Sequence, residues 1–152
     1  MSELKYCYKY PHPAVTADCV IFGFDGVSIK VLLVERGIEP YKGMWAFPGG
    51  FMKMDETAEE CAKRELEEET GYGGGRWSLY MTVSPNPSNH NNLQYTFLAE
   101  DVELAVDRHP EESEDIEVHL FTKEEVREIL EQGQIIQALH LAPLWKYFAE
   151  ER

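Results

Sequence analysis

Residues 13 to 24 form a run rich in β-branched, aromatic and small apolar residues, and Ile29 to Glu35 form a second, with the turn-forming pair Asp25-Gly26 between them. Two apolar runs around such a dipeptide predict antiparallel strands joined as a hairpin. The same patterning predicts strands over Arg76–Ser84, Leu93–Val102 and Ile116–Phe121, the first two separated by the polar, Pro- and Asn-rich stretch Ser84–Asn92. From Asp55 to Thr70 nearly every residue is a strong helix former, with Asp55 placed to cap the helix and Gly71 to end it. Thr122-Lys123-Glu124-Glu125 has the form of a capping box and predicts a helix to about Gln132, before Gly133. A last helix is predicted from about Ile135, with Pro143 expected to kink it or split it.

Between the second strand and the first helix, Gly37, Pro40, Gly43, Pro48, Gly49 and Gly50 fall within fourteen residues. That density of turn residues predicts a loop which must place its backbone with care. Trp45 and Phe47, just before the glycine pair, read as core residues. Interleaved strands and helices predict a mixed α/β fold, and 152 residues suit a single domain over residues 1–152.

A formal net charge of −14 would repel a phosphate backbone over most of the surface, so nucleic acid is not an expected partner. No stretch is apolar for long enough to cross a bilayer, so neither is a membrane. Met1 to Lys5 contain no basic segment leading into an apolar one, which makes the cytoplasm the expected compartment. Cys7, Cys19 and Cys61 form no Cys-x-x-Cys pair and are expected to be reduced packing residues. An acidic protein can still take a phosphate ester once a divalent cation converts its carboxylates into a positive site.

Glu65, Glu68 and Glu69 stand at i, i+3 and i+4 and share one helical face. Like charges at these spacings repel by a few tenths of a kcal/mol per pair, so a helix selected for stability alone would avoid them. A hard cation such as Mg2+, which takes oxygen ligands and keeps waters for substrate phosphates to replace, turns that repulsion into binding energy. Ala58, Ala62 and Leu66 make an apolar ladder on a neighbouring face, small enough to bring the helix close to a sheet.

Gly50, five residues, Glu56, seven residues, then Arg64-Glu65-Leu66-Glu67-Glu68-Glu69-Thr70-Gly71-Tyr72 resembles the Nudix box, with Tyr72 where that family usually has an aliphatic residue. The resemblance implies a Nudix-type α/β/α sandwich around a central mixed β-sheet. It implies Glu65, Glu68 and Glu69 as catalytic ligands of Mg2+, with Mn2+ able to substitute, and the carbonyl of Gly49 as a further ligand. Glu56 and Arg64 would be structural support, Arg64 pairing with a carboxylate such as Glu56 or Glu68. Glu112-Ser113-Glu114-Asp115-Ile116-Glu117-Val118-His119 is similar to a loop and strand of bacterial ADP-ribose pyrophosphatases, which puts Glu112 first and Glu114 second as catalytic base. Both belong to the acidic run from Asp107 to Glu117, expected to be a loop.

Pro87, fifteen residues after the box, and the tail from Glu131 to Leu144 also resemble that branch. Asn92 stands where the branch commonly has an acid, and the strand-rich N-terminal segment of its swapped dimers has no counterpart here. Arg36, past the second strand, could reach a substrate phosphate. Tyr6 to Pro13 could offer aromatic faces to an adenine, though an ordered arm is the reading favoured. The expected activity is Mg2+-dependent hydrolysis of a nucleoside diphosphate linked to another moiety, ADP-ribose or an ADP-sugar first, to AMP and sugar phosphate. The alternatives are a Nudix hydrolase of nucleoside triphosphates or dinucleotides, and a domain that senses a nucleotide sugar without cleaving it. The expected partner is a small-molecule nucleotide, and a homodimer is left open.

Overall fold

A computed structural model describes residues 15–24, 29–89, 91–105 and 115–150. Its elements, in chain order, are β1 (Thr16–Phe24), β2 (Ile29–Arg36), β3 (Trp45–Ala46), β4 (Gly49–Phe51), α1 (Ala58–Thr70), β5 (Tyr72–Gly73), β6 (Arg76–Val83), β7 (Gln94–Glu100), β8 (Glu103–Leu104), β9 (Ile116–Thr122), α2 (Lys123–Glu131) and α3 (Ala138–Glu150). Asp25-Gly26 and Tyr6 to Pro13 lie outside the described residues, as do Cys7, Glu112 and Glu114.

β1 runs parallel to β7 from Thr16 to Phe22 and antiparallel to β2, while β2 pairs antiparallel with β9 and β7 with β6, so the central sheet is mixed. Alternation along the strands supplies both faces of this sheet with apolar side chains. Val20, Val31 and Leu33 pack against Val126, Ile129 and Leu130 of α2 and against Leu144 and Phe148 of α3. On the other face Cys19, Ile21, Leu32 and Val34 meet Leu66 of α1, and Ala17 and Phe97 meet Cys61 and Ala62. A helix layer therefore covers each face, and the alanine at position 62 is fully buried where α1 meets the sheet.

β1 and β2 stay paired only from Ile21 and Leu32 to their hairpin ends. Beyond that point they part: β4 takes the free edge of β1 at Thr16 to Asp18, and β3 takes that of β2 at Val34 and Glu35. Part of the expected glycine-rich loop is thus two short strands, recruited because each parted strand needs partners for its exposed peptide groups. The chain between them crosses the opening, tied down where the N–H of Cys19 donates to the carbonyl of Pro48 at 3.1 Å.

The first helix starts later than Asp55. Thr57 is its N-cap: the Thr57 hydroxyl accepts the Glu60 N–H at 3.2 Å and the Glu60 carboxylate accepts the Thr57 N–H at 2.7 Å. This reciprocal box satisfies two orphan donors at once, which a lone Asp55 cannot do. Gly71 closes α1 in the left-handed conformation, φ 78°. Thr122 and Glu125 make the same reciprocal box at the start of α2. Pro143 does not split the last helix, which runs unbroken through it. The bond that the proline forfeits is the one to the Leu139 carbonyl, and burial of Leu144 and Phe148 beyond it holds the helix together.

Candidate active site

Where β1 and β2 part, a crevice of about 410 Å3 opens between the sheet and the end of α1. Gly49 and Gly50 of β4 lie in it with Glu69 of α1, Asp18 of β1, Arg36 of β2 and His140 of α3. Glu69, only 6% exposed, accepts the backbone N–H of Gly49 through Oε2 at 3.2 Å. Its place follows from helical spacing, because Leu66 three residues earlier is fully buried and turns that side of α1 to the sheet.

A side chain on either glycine would not fit. A Cβ on Gly49 would strike the Asp18 carboxylate and come within 2.7 Å of the Ala17 carbonyl, and one on Gly50 would strike the Glu65 carboxylate. The glycine pair thus lets the backbone run between two acids from different elements.

Arg64 organises the remaining acids. Its Nε and Nη2 donate to Oε2 and Oε1 of Glu56 at 3.0 and 2.8 Å, and its Nη1 donates to Glu65 Oε1 at 2.8 Å and to Glu68 Oε2 at 2.9 Å. Nη2 also reaches the Phe51 carbonyl at 3.3 Å. The fork of hydrogen bonds from Arg64 pulls the Glu56 carboxyl down to about 2, against the opposing effect of burial, and the same bonds raise Arg64 further above its usual range. Part of the repulsion expected among the box glutamates is therefore already offset within the chain. Among the described residues, the acid and histidine group whose ligand atoms all lie within 4.8 Å of one another is Glu35, Glu117 and His119, outside the crevice. Glu65 and Glu68 share Nη1 of Arg64 instead, and Glu69 sits on the Gly49 amide.

Of the other residues singled out from sequence, Arg36 lines the crevice with its Nε donating to the Pro40 carbonyl at 3.2 Å. Pro87 is exposed between β6 and β7 and is not among the residues lining the crevice. Cys19 and Cys61 are free thiols; burial raises both, Cys61 to about 12, so they are protonated packing groups and not nucleophiles.

Two crevice residues escaped the sequence reading. Asp18 is 6% exposed and His140 4% exposed, and His140 Nε2 stands 3.6 Å from Asp18 Oδ2. The available signal was a lone acid between Ala17 and Cys19 in an otherwise apolar strand, and a histidine four residues before buried Leu144 on the same helical face.

The NUDIX domain model matches residues 12–139. An ADP-ribose pyrophosphatase of Methanocaldococcus jannaschii is 45% identical over 69 residues, covering 45% of this chain and 38% of that protein. The ADPR responsive transcriptional repressor NtrR of Acinetobacter baylyi is 42% identical over 64 residues, covering 41% of this chain and 26% of the repressor. The match thus takes in well under two thirds of either relative. Among solved structures, the NUDIX domain of Shewanella oneidensis NrtR complexed with ADP ribose superposes with a TM-score of 0.70 at 25% identity, over 100% of both chains.

Proposed function

Because this chain belongs to the NUDIX domain family, we propose that it hydrolyses the pyrophosphate bond of a nucleoside diphosphate linked to another group, in particular ADP-ribose or an ADP-sugar, to AMP and a sugar phosphate. The observation that carries this reading is the placing of Glu69: the last turn of the box helix delivers a buried carboxylate to the amide of Gly49, inside the crevice where β1 and β2 part. A relative named as an ADP-ribose pyrophosphatase, and a whole-chain likeness to a domain solved with ADP ribose, support the choice of substrate.

The donors at the box are carboxylate and peptide oxygens, a set that fits a hard divalent cation, with Mg2+ first and Mn2+ able to replace it. Glu65, Glu68, Glu69 and the Gly49 carbonyl would hold it. When bound, such an ion neutralises charge on the pyrophosphate and lowers the pKa of a water. The chain's own residues then have separate tasks. Arg64, gripped by Glu56, fixes the rotamers of Glu65 and Glu68. Arg36, facing the crevice, offers its guanidinium to a phosphate oxygen. Glu112, with Glu114 second, is assigned to take the proton of the attacking water, and Pro87 to border the substrate; both assignments rest on family likeness. We further assign a single domain acting in the cytoplasm on a small nucleotide.

The direct experiment is incubation with ADP-ribose and Mg2+, with separation of the products. AMP and ribose 5-phosphate are expected, at higher kcat/KM than for dinucleotides or nucleoside triphosphates. Preferential release of pyrophosphate from a triphosphate would replace this reading with the triphosphatase one.

A second reading has an observation of its own. The likeness to an ADPR responsive transcriptional repressor, and to a NUDIX domain solved with ADP ribose, favours a domain that binds ADP-ribose as a signal. Binding without AMP after prolonged incubation with Mg2+ would identify it.

A further inference from the structure

Asp18 and His140 are two nearly buried polar side chains that the box chemistry does not use, and both face the crevice. His140 Nδ1 accepts the backbone N–H of Phe47 at 3.4 Å, and the Phe47 ring lies against the imidazole with centroids 5.0 Å apart. With Nδ1 engaged as acceptor, the neutral ring carries its proton on Nε2, turned towards Asp18. The 3.6 Å between Nε2 and Asp18 Oδ2 is longer than a direct hydrogen bond. The crevice lining presents an N–H donor beside a carboxylate acceptor.

That arrangement matches a hydroxyl, which can accept from Nε2–H and donate to the carboxylate. Thr16 and Gln137, which line the same crevice, carry groups able to bond a second hydroxyl. The position is equally specific, because Asp18 Oδ1 lies where a side chain on Gly49 would project, so the pair adjoins the proposed pyrophosphate position. We propose that Asp18 and His140 read the vicinal diol of a pentose attached to the pyrophosphate, a specificity role that rests on the nucleotide-sugar reading above.

The test is calorimetric binding to the full chain in Mg2+, each probe carrying a methylene bridge in place of the pyrophosphate bridging oxygen so that affinity is read without turnover. The probes are ADP-ribose, its analogue lacking the 2-hydroxyl on the adenosine ribose, and its analogue lacking the 2-hydroxyl on the terminal ribose. Wild type should bind at least one analogue about tenfold or more weakly than ADP-ribose, and the analogue affected tells which ribose is read. Asp18→Asn and His140→Phe should erase that preference, while His140→Gln, which keeps an N–H near the Nε2 position, should retain part of it. Equal binding of all three probes by wild type, no binding of ADP-ribose, or an unchanged preference in Asp18→Asn and His140→Phe would overturn the proposal. The wild-type comparison stands even if a variant fails to fold. Selective binding with no AMP formed from ADP-ribose itself in Mg2+ would sink the hydrolase reading alone; AMP formation without selectivity would sink this one alone.

Discussion

Arg64 grips Glu56 at two points, Nε to Oε2 at 3.0 Å and Nη2 to Oε1 at 2.8 Å, across the turn that leads into α1. The contact fixes the plane of the guanidinium, and that plane aims Nη1 between Glu65 and Glu68. One arginine therefore joins the entry of the helix to the acids near its end, and the ligand face proposed for the cation depends on it.

Arg64→Ala should lower kcat/KM by roughly ten- to a hundredfold, the usual cost of losing a group that orients metal ligands. Arg64→Lys should recover little, because an ammonium cannot reproduce the two-point contact while also reaching Glu65 and Glu68. Steady-state kinetics beside thermal melts check this; wild-type kinetics in Arg64→Ala would show the arginine to be dispensable.

The same contact sets a pH dependence. Glu56 has a carboxyl held at about 2 in the folded chain against an ordinary 4.5, so its contribution to stability is complete above about pH 4.5 and is lost as the pH falls through about 2. Urea unfolding of wild type and Glu56→Gln should show a stability difference that is constant near neutrality and shrinks between pH 4.5 and 2. A difference that stays level across that window contradicts the assignment.

Gly49→Ala should be destabilising by about 1–3 kcal/mol and should abolish most turnover, since its Cβ meets the Asp18 carboxylate and the backbone of Ala17 and Asp18 on a paired strand. A denaturant midpoint within error of wild type would mean that β4 can shift away freely.

The two candidate caps of the first helix separate by mutation. Thr57→Ala should cost about 1 kcal/mol, and Asp55→Ala, at an exposed position outside the helix, should stay within about 0.5 kcal/mol. Chemical denaturation reads both, and the reverse ranking would return the cap to Asp55.

Much of this was legible in the chain itself. Alternation fixed β2, β6, β7 and β9 to within a residue or two and the end of β1 to the residue, though β1 begins three residues later than expected, and the Thr122 box marked the start of α2. The spacing of Glu65, Glu68 and Glu69 with Gly50, Glu56 and Arg64 located the box. What the pattern could not carry was cooperative or distant. Thr57 outcompetes Asp55 only because Glu60 answers it, and Pro143 is tolerated because the core on both sides of it is buried. β3 and β4 exist because two longer strands part, which no local signal announces. Asp18 and His140 lie 122 residues apart and meet only once α3 folds back on the sheet. The spacing of the three glutamates predicted crowding, and the structure shows Arg64 among them because side-chain reach, unlike helical phase, is not written in the period.

The central claim is that the box glutamates hold a divalent cation beside the crevice, and Mn2+ titration followed by electron paramagnetic resonance tests it most directly. Wild type should bind Mn2+ with loss of the free-ion signal, and Glu68→Gln and Glu69→Gln should each weaken that binding about tenfold or more, with ADP-ribose turnover falling in step. Undiminished Mn2+ affinity in both variants would contradict the account.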